Sequence, residues 1–278
     1  MPPRIASLAD PQAALAPKAN LLELLHFMAR SPLAQLTEGD GWTRWWMPIP
    51  HPWFSGIRVA PTASAESGAL IGDTVAYFQR QGAPAFTWWL DADVAADPWA
   101  AALAAHGFRY AADTPGMAAE MAALPAEAPT PRDFRSMPVS DSPTLRVWAD
   151  VFIAGYELPP AWAAGFFQLL DGLPPGPPIL NYLGYLGETP VTASSLFLGE
   201  RVAGIYNVAT LPEARRQGLG AAITLAPLRD AQAQGYHVAV LQSSPLGYGV
   251  YERLGFRRTC AVDCFYWSSE TREDRNRD

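Results

Sequence analysis

The segment at residues 208–220, which joins a predicted strand to a predicted helix, carries residue types suited to binding an anion. It contains Gly218 and Gly220, and Arg215 and Arg216 stand shortly before them. A strand-to-helix junction offers backbone NH groups without partners inside the helix, together with the positive end of the helix dipole. Glycines let the backbone approach phosphate oxygens closely, and the arginines add positive charge. The segment therefore predicts a pyrophosphate site.

The residues around this loop exclude two common nucleotide-binding motifs. A P-loop requires Lys and then Ser or Thr after its last glycine, whereas Ala221 and Ala222 follow Gly220. A dinucleotide fingerprint requires GxGxxG and an acidic residue at the end of the next strand, but residues 237–242 contain no carboxylate. The predicted pyrophosphate therefore belongs to neither class of site.

The order Arg215, Gly218, Gly220 resembles the RxxGxG pyrophosphate loop of the GNAT superfamily of N-acetyltransferases. Residues 244–256 are similar to that family's second signature, in which a helix carries a tyrosine shortly before Gly-Phe. The resemblance covers about residues 132–268. It implies an α/β (α+β) fold with a mixed, mostly antiparallel sheet flanked by helices, and an acyltransferase that uses acetyl-CoA as co-substrate and no metal.

The resemblance also implies where coenzyme A lies, between the strand that ends near Val208 and the strand at 237–241. Backbone groups of the first strand would pair with the pantetheine arm, and NH groups of the loop would hold the pyrophosphate. The residues implied in cofactor binding are Val208, Ala209, Thr210, Arg215, Arg216, Gln217, Gly218, Leu219, Gly220, Ala221 and Ser244. Tyr251 stands where the family's general acid lies, and a phenol of pKa about 10 is a suitable donor to a thiolate of pKa about 8 to 9.

The sequence departs from the family pattern where some members keep a base. The strand at 202–208 contains no carboxylate, so the acceptor of the amine's proton is unassigned. Tyr206 is a candidate for ordering a water, and Tyr156 and Glu157 are candidates for contacting the acceptor substrate. A solvated loop carboxylate is the simpler interpretation of Glu157, and a core aromatic side chain is the simpler alternative for Tyr251.

Two functions are compatible with these motifs. The first is an enzyme that moves an acetyl group directly from acetyl-CoA to an amine of a small-molecule acceptor. The second is a non-catalytic acyl-CoA-binding sensor or regulatory module, which the absent strand carboxylate favours. Transfer to an oxygen or a thiol, or transfer of a longer acyl group, fits the same motifs.

Apolar patterns predict the elements that position these residues. Runs at 179–186, 191–198 and 202–208, separated by Gly-Glu pairs, are typical of an antiparallel meander. A helical period extends from Gly218 to Gln234. The sequence then predicts a strand at 237–241, a helix at 246–254 and a strand from 256 onward.

Prolines mark the predicted domain boundary. Residues 124–132 contain three prolines, which neither a helix interior nor a central strand tolerates. We therefore predict an N-terminal domain at 1–124, a linker at 125–131 and an acetyl-CoA-binding domain at 132–278. The order helix, strand, helix, Gly-Phe-Arg occurs at 77–109 and again at 231–257, which favours an internal duplication. Because the first copy lacks RxxGxG, it resembles the degenerate unit of bacterial tandem-GNAT proteins.

Composition bounds the partners and the location. The 278-residue chain has a formal charge of −7, so no general attraction to nucleic acid or an anionic membrane is expected. No apolar run reaches the roughly 20 residues of a membrane span, and the chain start lacks a secretory pattern, so a cytoplasmic location is expected. Cys260 and Cys264 are expected to be buried thiols, and residues 270–278 a frayed polar tail. No histidine pair has metal-ligand spacing.

Overall fold

The structure is a computed structural model that describes residues 3–62, 68–91, 93–174 and 176–269. The expected tail at 270–278 lies outside the described residues. The helices are α1 (Ala16–Met28), α2 (Gly68–Arg80), α3 (Asp97–Ala105), α4 (Ser142–Gly155), α5 (Trp162–Asp171), α6 (Leu219–Ala233) and α7 (Tyr248–Leu254). The strands are β1 (Gln35–Gly39), β2 (Trp42–Trp46), β3 (Gly56–Val59), β4 (Ala85–Leu90), β5 (Arg109–Glu120), β6 (Phe134–Pro138), β7 (Ile179–Leu186), β8 (Thr189–Leu198), β9 (Ala203–Thr210), β10 (Val238–Gln242) and β11 (Arg257–Ser268).

The chain forms two compact units. The larger unit consists of Met1–Leu24 and Thr114–Ala261, and the smaller unit of Leu25–Asp113 and Val262–Asp278. The predicted linker at 125–131 lies within the larger unit, because the start of the chain and most of β5 pack with the C-terminal half. The division into domains at 1–124 and 132–278 stays a prediction.

The sheet of the larger unit has the strand order β5-β10-β9-β8-β7-β6. All neighbours in it are antiparallel except β9 and β10, which are parallel. The predicted meander of three strands is present as β7, β8 and β9. Helix α6 covers one face, where Ile223 and Leu228 pack with Ala203 and Ile205. The opposite face carries α4 and the first part of α1.

The smaller unit has a sheet of order β1-β2-β3-β4-β11 with an aromatic core. Its β3 and β4 are parallel, and β11 runs antiparallel to β4. Phe86 stacks on Phe78 and Trp267, and Trp88 contacts Trp99. These large side chains are almost fully buried, which agrees with core packing as the use of these tryptophans.

The two halves of the chain repeat one order of elements, strand, helix, strand, helix, strand. It runs from β3 to β5 and again from β9 to β11, and in both repeats the first two strands are parallel. The last strand of each repeat pairs with the middle strand of the other, β5 with β10 and β11 with β4. The predicted mixed, mostly antiparallel and duplicated α/β fold is confirmed.

Residues from the start of the chain complete the core of the larger unit. Ile5 and Ala13 belong to a buried cluster with Val238 and Val240 of β10, and the Ile5 NH donates to the Arg201 carbonyl at 3.1 Å. Strand β10 pairs with β9 on one edge. On its other edge it pairs antiparallel with residues 116–120 of β5. Residues 132–278 alone therefore lack β5, which pairs with β10, and the residues from the start of the chain that cover Val238 and Val240.

We predict that residues 132–278 expressed alone will not unfold cooperatively. Without the start of the chain and β5, Val238 and Val240 become exposed, and burial of one such side chain is worth about 1.5–3 kcal/mol. Chemical unfolding followed by circular dichroism measures this, with the full chain as the reference. Co-expression with residues 1–131 should restore a cooperative transition. A sharp transition of the isolated segment at the full-chain midpoint would contradict the prediction.

Candidate active site

Strands β9 and β10 separate at their carboxyl ends and leave a gap in the sheet of the larger unit. Their parallel pairing joins residues 203–205 to residues 239–241, whereas β9 continues to Thr210 along β8. In that stretch Asn207 and Val208 both oppose Ser194, and Asn207 has a positive φ of 55°. An extra residue of this kind bends the strand that carries it, so β9 turns away from β10.

The side of the gap that faces α1 is closed by a buried polar cluster. The Tyr206 hydroxyl donates to Asn20 Oδ1 at 2.7 Å, and Asn20 Nδ2 donates to the Val202 carbonyl. Gln242 lies beside the Tyr206 hydroxyl, and its Nε2 donates to the Pro17 carbonyl at 2.6 Å. Burial raises the pKa of Tyr206 well above its usual range. Tyr206, predicted to order a water, thus lies in an intramolecular network.

The predicted pyrophosphate loop leads into α6 through glycine. Gly218 precedes the helix with φ 81°, and within the described chain no side chain caps this helix end. The first intrahelical bond runs from the Ala222 NH to the Gly218 carbonyl at 3.1 Å, so the NH groups of residues 219–221 lie ahead of it. A Cβ on Gly220 would meet only Thr210 Oγ1 within 4 Å, at 3.9 Å. Space for a ligand therefore adjoins these NH groups.

Packing beneath the loop fixes its position. Leu219 is 1% exposed and packs with Val191 and Ala214. A Cβ on Gly218 would lie 2.0 Å from the carbonyl oxygen of Pro129, so the proline-rich stretch at 125–131 supports the loop from below. The side chains of Arg216 and Gln217, both predicted to bind the cofactor, are exposed.

Arg215 uses its guanidinium group to hold neighbouring segments together. Its Nε donates to the Thr210 carbonyl at 3.2 Å, and its Nη2 donates to the Gly155 carbonyl at 2.8 Å. The same Nη2 forms an ion pair with Glu157 Oε1 at 2.9 Å. Arg215 thus ties the end of β9 to the end of α4, and Glu157 is its partner and not an isolated loop carboxylate.

A proline inside α6 is compensated by a serine of the sheet. Pro227 has no NH to bond the Ile223 carbonyl four residues earlier, and the Ser194 hydroxyl donates to that carbonyl at 2.8 Å. The Ser194 carbonyl in turn accepts from Trp148 Nε1 of α4 at 2.9 Å. These buried bonds fix α6 against β8, and so they fix the direction of its N-terminus.

Tyr251, the predicted proton donor, lies on α7 and is 8% exposed. Thr224 of α6 lies beside its hydroxyl, and burial, reinforced by the charge of Tyr156, raises its pKa well above the usual range. A Cβ on Gly247 would lie 2.9 Å from its ring, so glycine at 247 leaves room for the tyrosine. The Ser244 hydroxyl accepts from the Gly247 NH at 3.1 Å and steadies the same turn.

Tyr156 follows α4 and reaches the same gap. Its predecessor Gly155 fits tightly on β9, since a Cβ there would lie 2.9 Å from the Cβ of Ala209 and 3.1 Å from the Thr210 nitrogen. The Tyr156 side chain is 46% exposed, yet the surroundings of its hydroxyl raise its pKa to about 12. Tyr156 and Tyr251 are near enough for their charges to interact, so the two phenols lie near each other in this unit.

Several residues of the site were not found from the sequence. Asn20, Gly155 and Pro129 contact the site from distant parts of the chain, and no local pattern links them to it. A polar pair within the meander, Asn181 and Ser195, was also missed. One sequence feature could have revealed this pair. Both residues are polar and lie within otherwise apolar strand runs, and polar side chains are unusual in buried strands.

Three sequence expectations lie outside this cleft. Cys260 is partly buried and Cys264 is buried, and within the described residues neither forms a disulfide. Among the described residues no group of His, Cys, Asp or Glu has the arrangement of a metal site. No helix in the described part of the chain has the length and apolarity to cross a membrane.

Comparison with known proteins gives a family for part of the chain. Residues 199–259, which include the loop, α6 and Tyr251, match the model of the acetyltransferase (GNAT) domain. No curated protein sequence matches the chain.

Solved structures of similar fold cover almost the whole chain. A GCN5-related N-acetyltransferase from Kribbella flavida is 19% identical, with 93% of this chain and 96% of that chain covered and a TM-score of 0.66. A tandem GNAT protein from the clavulanic acid biosynthesis pathway is 15% identical, with 94% and 96% covered and a TM-score of 0.55. A GCN5-related N-acetyltransferase from Sphaerobacter thermophilus is 14% identical, with 83% and 81% covered and a TM-score of 0.57. The predicted GNAT fold is thus confirmed, including its tandem form.

The buried tyrosines predict a loss of stability in alkali. In an unfolded chain tyrosine titrates near pH 10, whereas burial raises the pKa of Tyr206 and Tyr251 well above this value and desolvation of its hydroxyl raises the pKa of the half-exposed Tyr156 to about 12. The folded state therefore keeps protons that the unfolded state releases. The contribution of these groups to the free energy of unfolding is complete below about pH 10 and is lost as the pH rises above it. Urea unfolding between about pH 8 and 11 measures the loss.

Tyr206→Phe is the matched variant, because it removes one titrating hydroxyl and keeps the ring. Its stability should be lower than that of the wild type at pH 8, where Asn20 loses a partner. Its further loss between about pH 10 and 11 should be smaller than that of the wild type. An equal alkaline loss in both proteins would show that Tyr206 titrates normally.

Proposed function

We propose that this chain of GNAT fold is an acetyltransferase that moves an acetyl group from acetyl-CoA to an amine of a small molecule. The observation that carries the proposal is the gap between β9 and β10, which opens beside the uncapped N-terminus of α6. An unpaired strand edge suits the amides of a pantetheine arm, and a helix N-terminus suits a pyrophosphate. The match of residues 199–259 to the GNAT domain model supports the same co-substrate.

The proposed contacts to coenzyme A come mainly from the backbone. Residues 208–210 at the end of β9 would pair with the pantetheine arm, and NH groups of residues 216–221 would hold the pyrophosphate. The open space beside Gly220 fits such a ligand. Arg215, whose donors are taken up by Thr210, Gly155 and Glu157, would keep the loop in shape and contribute positive charge. The exposed Arg216, Gln217 and Ser244 would supply polar side-chain contacts.

In the proposed reaction the amine nitrogen attacks the thioester carbon. A C–N bond forms, the C–S bond breaks, the sulfur leaves as thiolate, and the amine's proton passes to solvent. Tyr251 would donate its hydroxyl hydrogen to the sulfur. Because burial raises its pKa, the phenol stays protonated at neutral pH, and a strong hydrogen bond to the thiolate is favoured over complete proton transfer. Holding both reactants in one gap would supply much of the acceleration.

A sensor that binds acyl-CoA without transferring the acyl group is the second candidate. The observation that favours it is the absence of a carboxylate on β9, together with a buried Tyr251 whose hydroxyl lies beside Thr224. The two candidates share the cofactor site and differ in whether Tyr251 does chemistry.

We predict that Gly220→Asp abolishes the binding of acetyl-CoA, because its carboxylate would face the pyrophosphate. Gly220 is the informative position, since a side chain there has space, whereas one at Gly218 would collide with Pro129. An aspartate in the first turn of a helix is compatible with the fold. Isothermal titration calorimetry should show a dissociation constant at least about tenfold higher than that of Gly220→Asn, which adds the same volume without charge. Equal affinity of the two folded variants would remove the pyrophosphate from this loop.

We predict that Tyr251→Phe lowers turnover much more than it lowers affinity for acetyl-CoA. Removal of one hydrogen-bond donor to a developing anion costs about a hundredfold or more in rate, whereas the ring keeps its contact with Phe256. Thiol release in the presence of a panel of amines gives the rate, and calorimetry gives the affinity. If Tyr251 takes part in catalysis, Tyr251→Phe lowers the rate of thiol release while the affinity for acetyl-CoA stays nearly constant. Wild-type binding of acetyl-CoA without amine-dependent thiol release would favour the sensor.

A further inference from the structure

We infer that the acceptor substrate is an amine that is already uncharged at neutral pH, and that Asn207 binds it beside the gap. This inference rests on the proposed acetyl transfer and names the class of its acceptor. It is carried by a row of uncharged polar side chains on the sheet face that α1 and α4 cover.

The row runs across three strands at the point where β9 bulges. Asn207 Nδ2 donates to Ser195 Oγ at 3.1 Å, and Ser195 Oγ donates to Asn181 Oδ1 at 2.6 Å. The serine hydroxyl thus links the two amides across β9, β8 and β7. The Asn207 Oδ1 atom has no hydrogen-bond partner within the described chain, so it is left to bind the N–H of an acceptor. An amide oxygen accepts a hydrogen bond but does not hold a proton.

The location of Asn207 suits contact with the reacting nitrogen. It is the residue after Tyr206, whose hydroxyl lies beside Gln242 of β10 where the parallel pairing ends. Tyr156 reaches the gap from the end of α4, while Tyr251 packs with the cluster beneath α6. An amine held by Asn207 would therefore approach from the α4 side, and a thiolate would leave beside Tyr251.

The ionisable groups near this region have other partners or stay protonated. Glu157 is paired with Arg215 at 2.9 Å, and Glu23 of α1, whose charge acts on Tyr206, accepts from the Glu200 NH at 2.9 Å. Desolvation raises the pKa of the Tyr156 hydroxyl to about 12, and burial raises the pKa of Tyr251 and of Tyr206. All three phenols are therefore protonated at neutral pH and are not bases for an ammonium substrate.

The fraction of an amine that is uncharged at pH 7 depends strongly on the pKa of that amine. An amine of pKa about 10.4 is uncharged in about one molecule in 2,500 at pH 7, whereas one of pKa about 8 is uncharged in about one in ten. A protonated amine has no lone pair for attack, and burying its charge against uncharged amides costs further free energy. Arylamines, which are uncharged at pH 7, avoid both penalties.

The test compares 4-methylaniline with benzylamine, two isomers of the same size that differ in charge at pH 7. We measure kcat/KM for both from acetyl-CoA-dependent thiol release by the full chain, and we compare the pH profiles because the two amines differ in intrinsic nucleophilicity. Between pH 7 and 9 the benzylamine value should rise about tenfold per unit, because its free base increases, while the 4-methylaniline value stays level. A benzylamine value that also stays level from pH 7 to 9 would show that the protein takes the proton of the ammonium form, which would overturn the inference and leave the proposed function standing.

Asn207→Asp tests the residue itself. Aspartate tolerates the positive φ of 55°, and its carboxylate can accept from Ser195 once the serine hydroxyl turns away from Asn181 Oδ1. It would supply the missing base, so the ratio of benzylamine to 4-methylaniline activity at pH 7 should rise by at least about fivefold. An unchanged ratio in the folded variant would remove Asn207 from the acceptor site. Binding of acetyl-CoA without thiol release to either isomer would overturn both the transfer and this inference, and absence of binding would overturn the cofactor site.

Discussion

At Asn207 strand β9 takes up an extra residue against β8, and a bulge of this kind bends the strand that carries it. The parallel ladder with β10 stops just before this point, at Ile205. The consequences reach every part of the site. The bend opens the sheet, frees backbone groups at the end of β9, and brings Asn207 beside Ser195. Because β10 itself ends at Gln242, the rest of β9 has no strand partner on that side within the described chain, and the bend adds to the opening.

The segments that border the gap are held in place by close contacts. Gly155 fits against Ala209, Gly218 fits against Pro129, and Arg215 joins the end of β9 to the end of α4. Helix α6 contains a proline, and Ser194 bonds the carbonyl that the proline leaves open. The loop therefore presents its NH groups in a fixed direction, and preorganised dipoles of this kind need no rearrangement when charge arrives.

The sequence predicts well what depends on near neighbours. The meander of β7 to β9 and the helix α6 follow from apolar periodicity, and Gly235 and Gly255 have the left-handed backbone expected after a helix. It predicts poorly what depends on a distant partner. Nothing near Tyr206 indicates that Asn20 will bond its hydroxyl, and nothing near Arg215 indicates that Gly155 and Glu157 will receive its donors. The sequence shows which residue types are present, but only the fold determines which of them become hydrogen-bond partners.

The pairing of each repeat's last strand with the other repeat has a consequence for biosynthesis. Strand β4 emerges from the ribosome early, yet its partner β11 is made only after all the other described strands and helices. Until then one edge of β4, with the fully buried Phe86 and Trp88, has no neighbour on that side. Contacts so distant along the chain make folding slow and leave apolar strand edges open for aggregation. A nascent chain of this protein therefore depends on prompt release or on chaperones more than a single-repeat chain would.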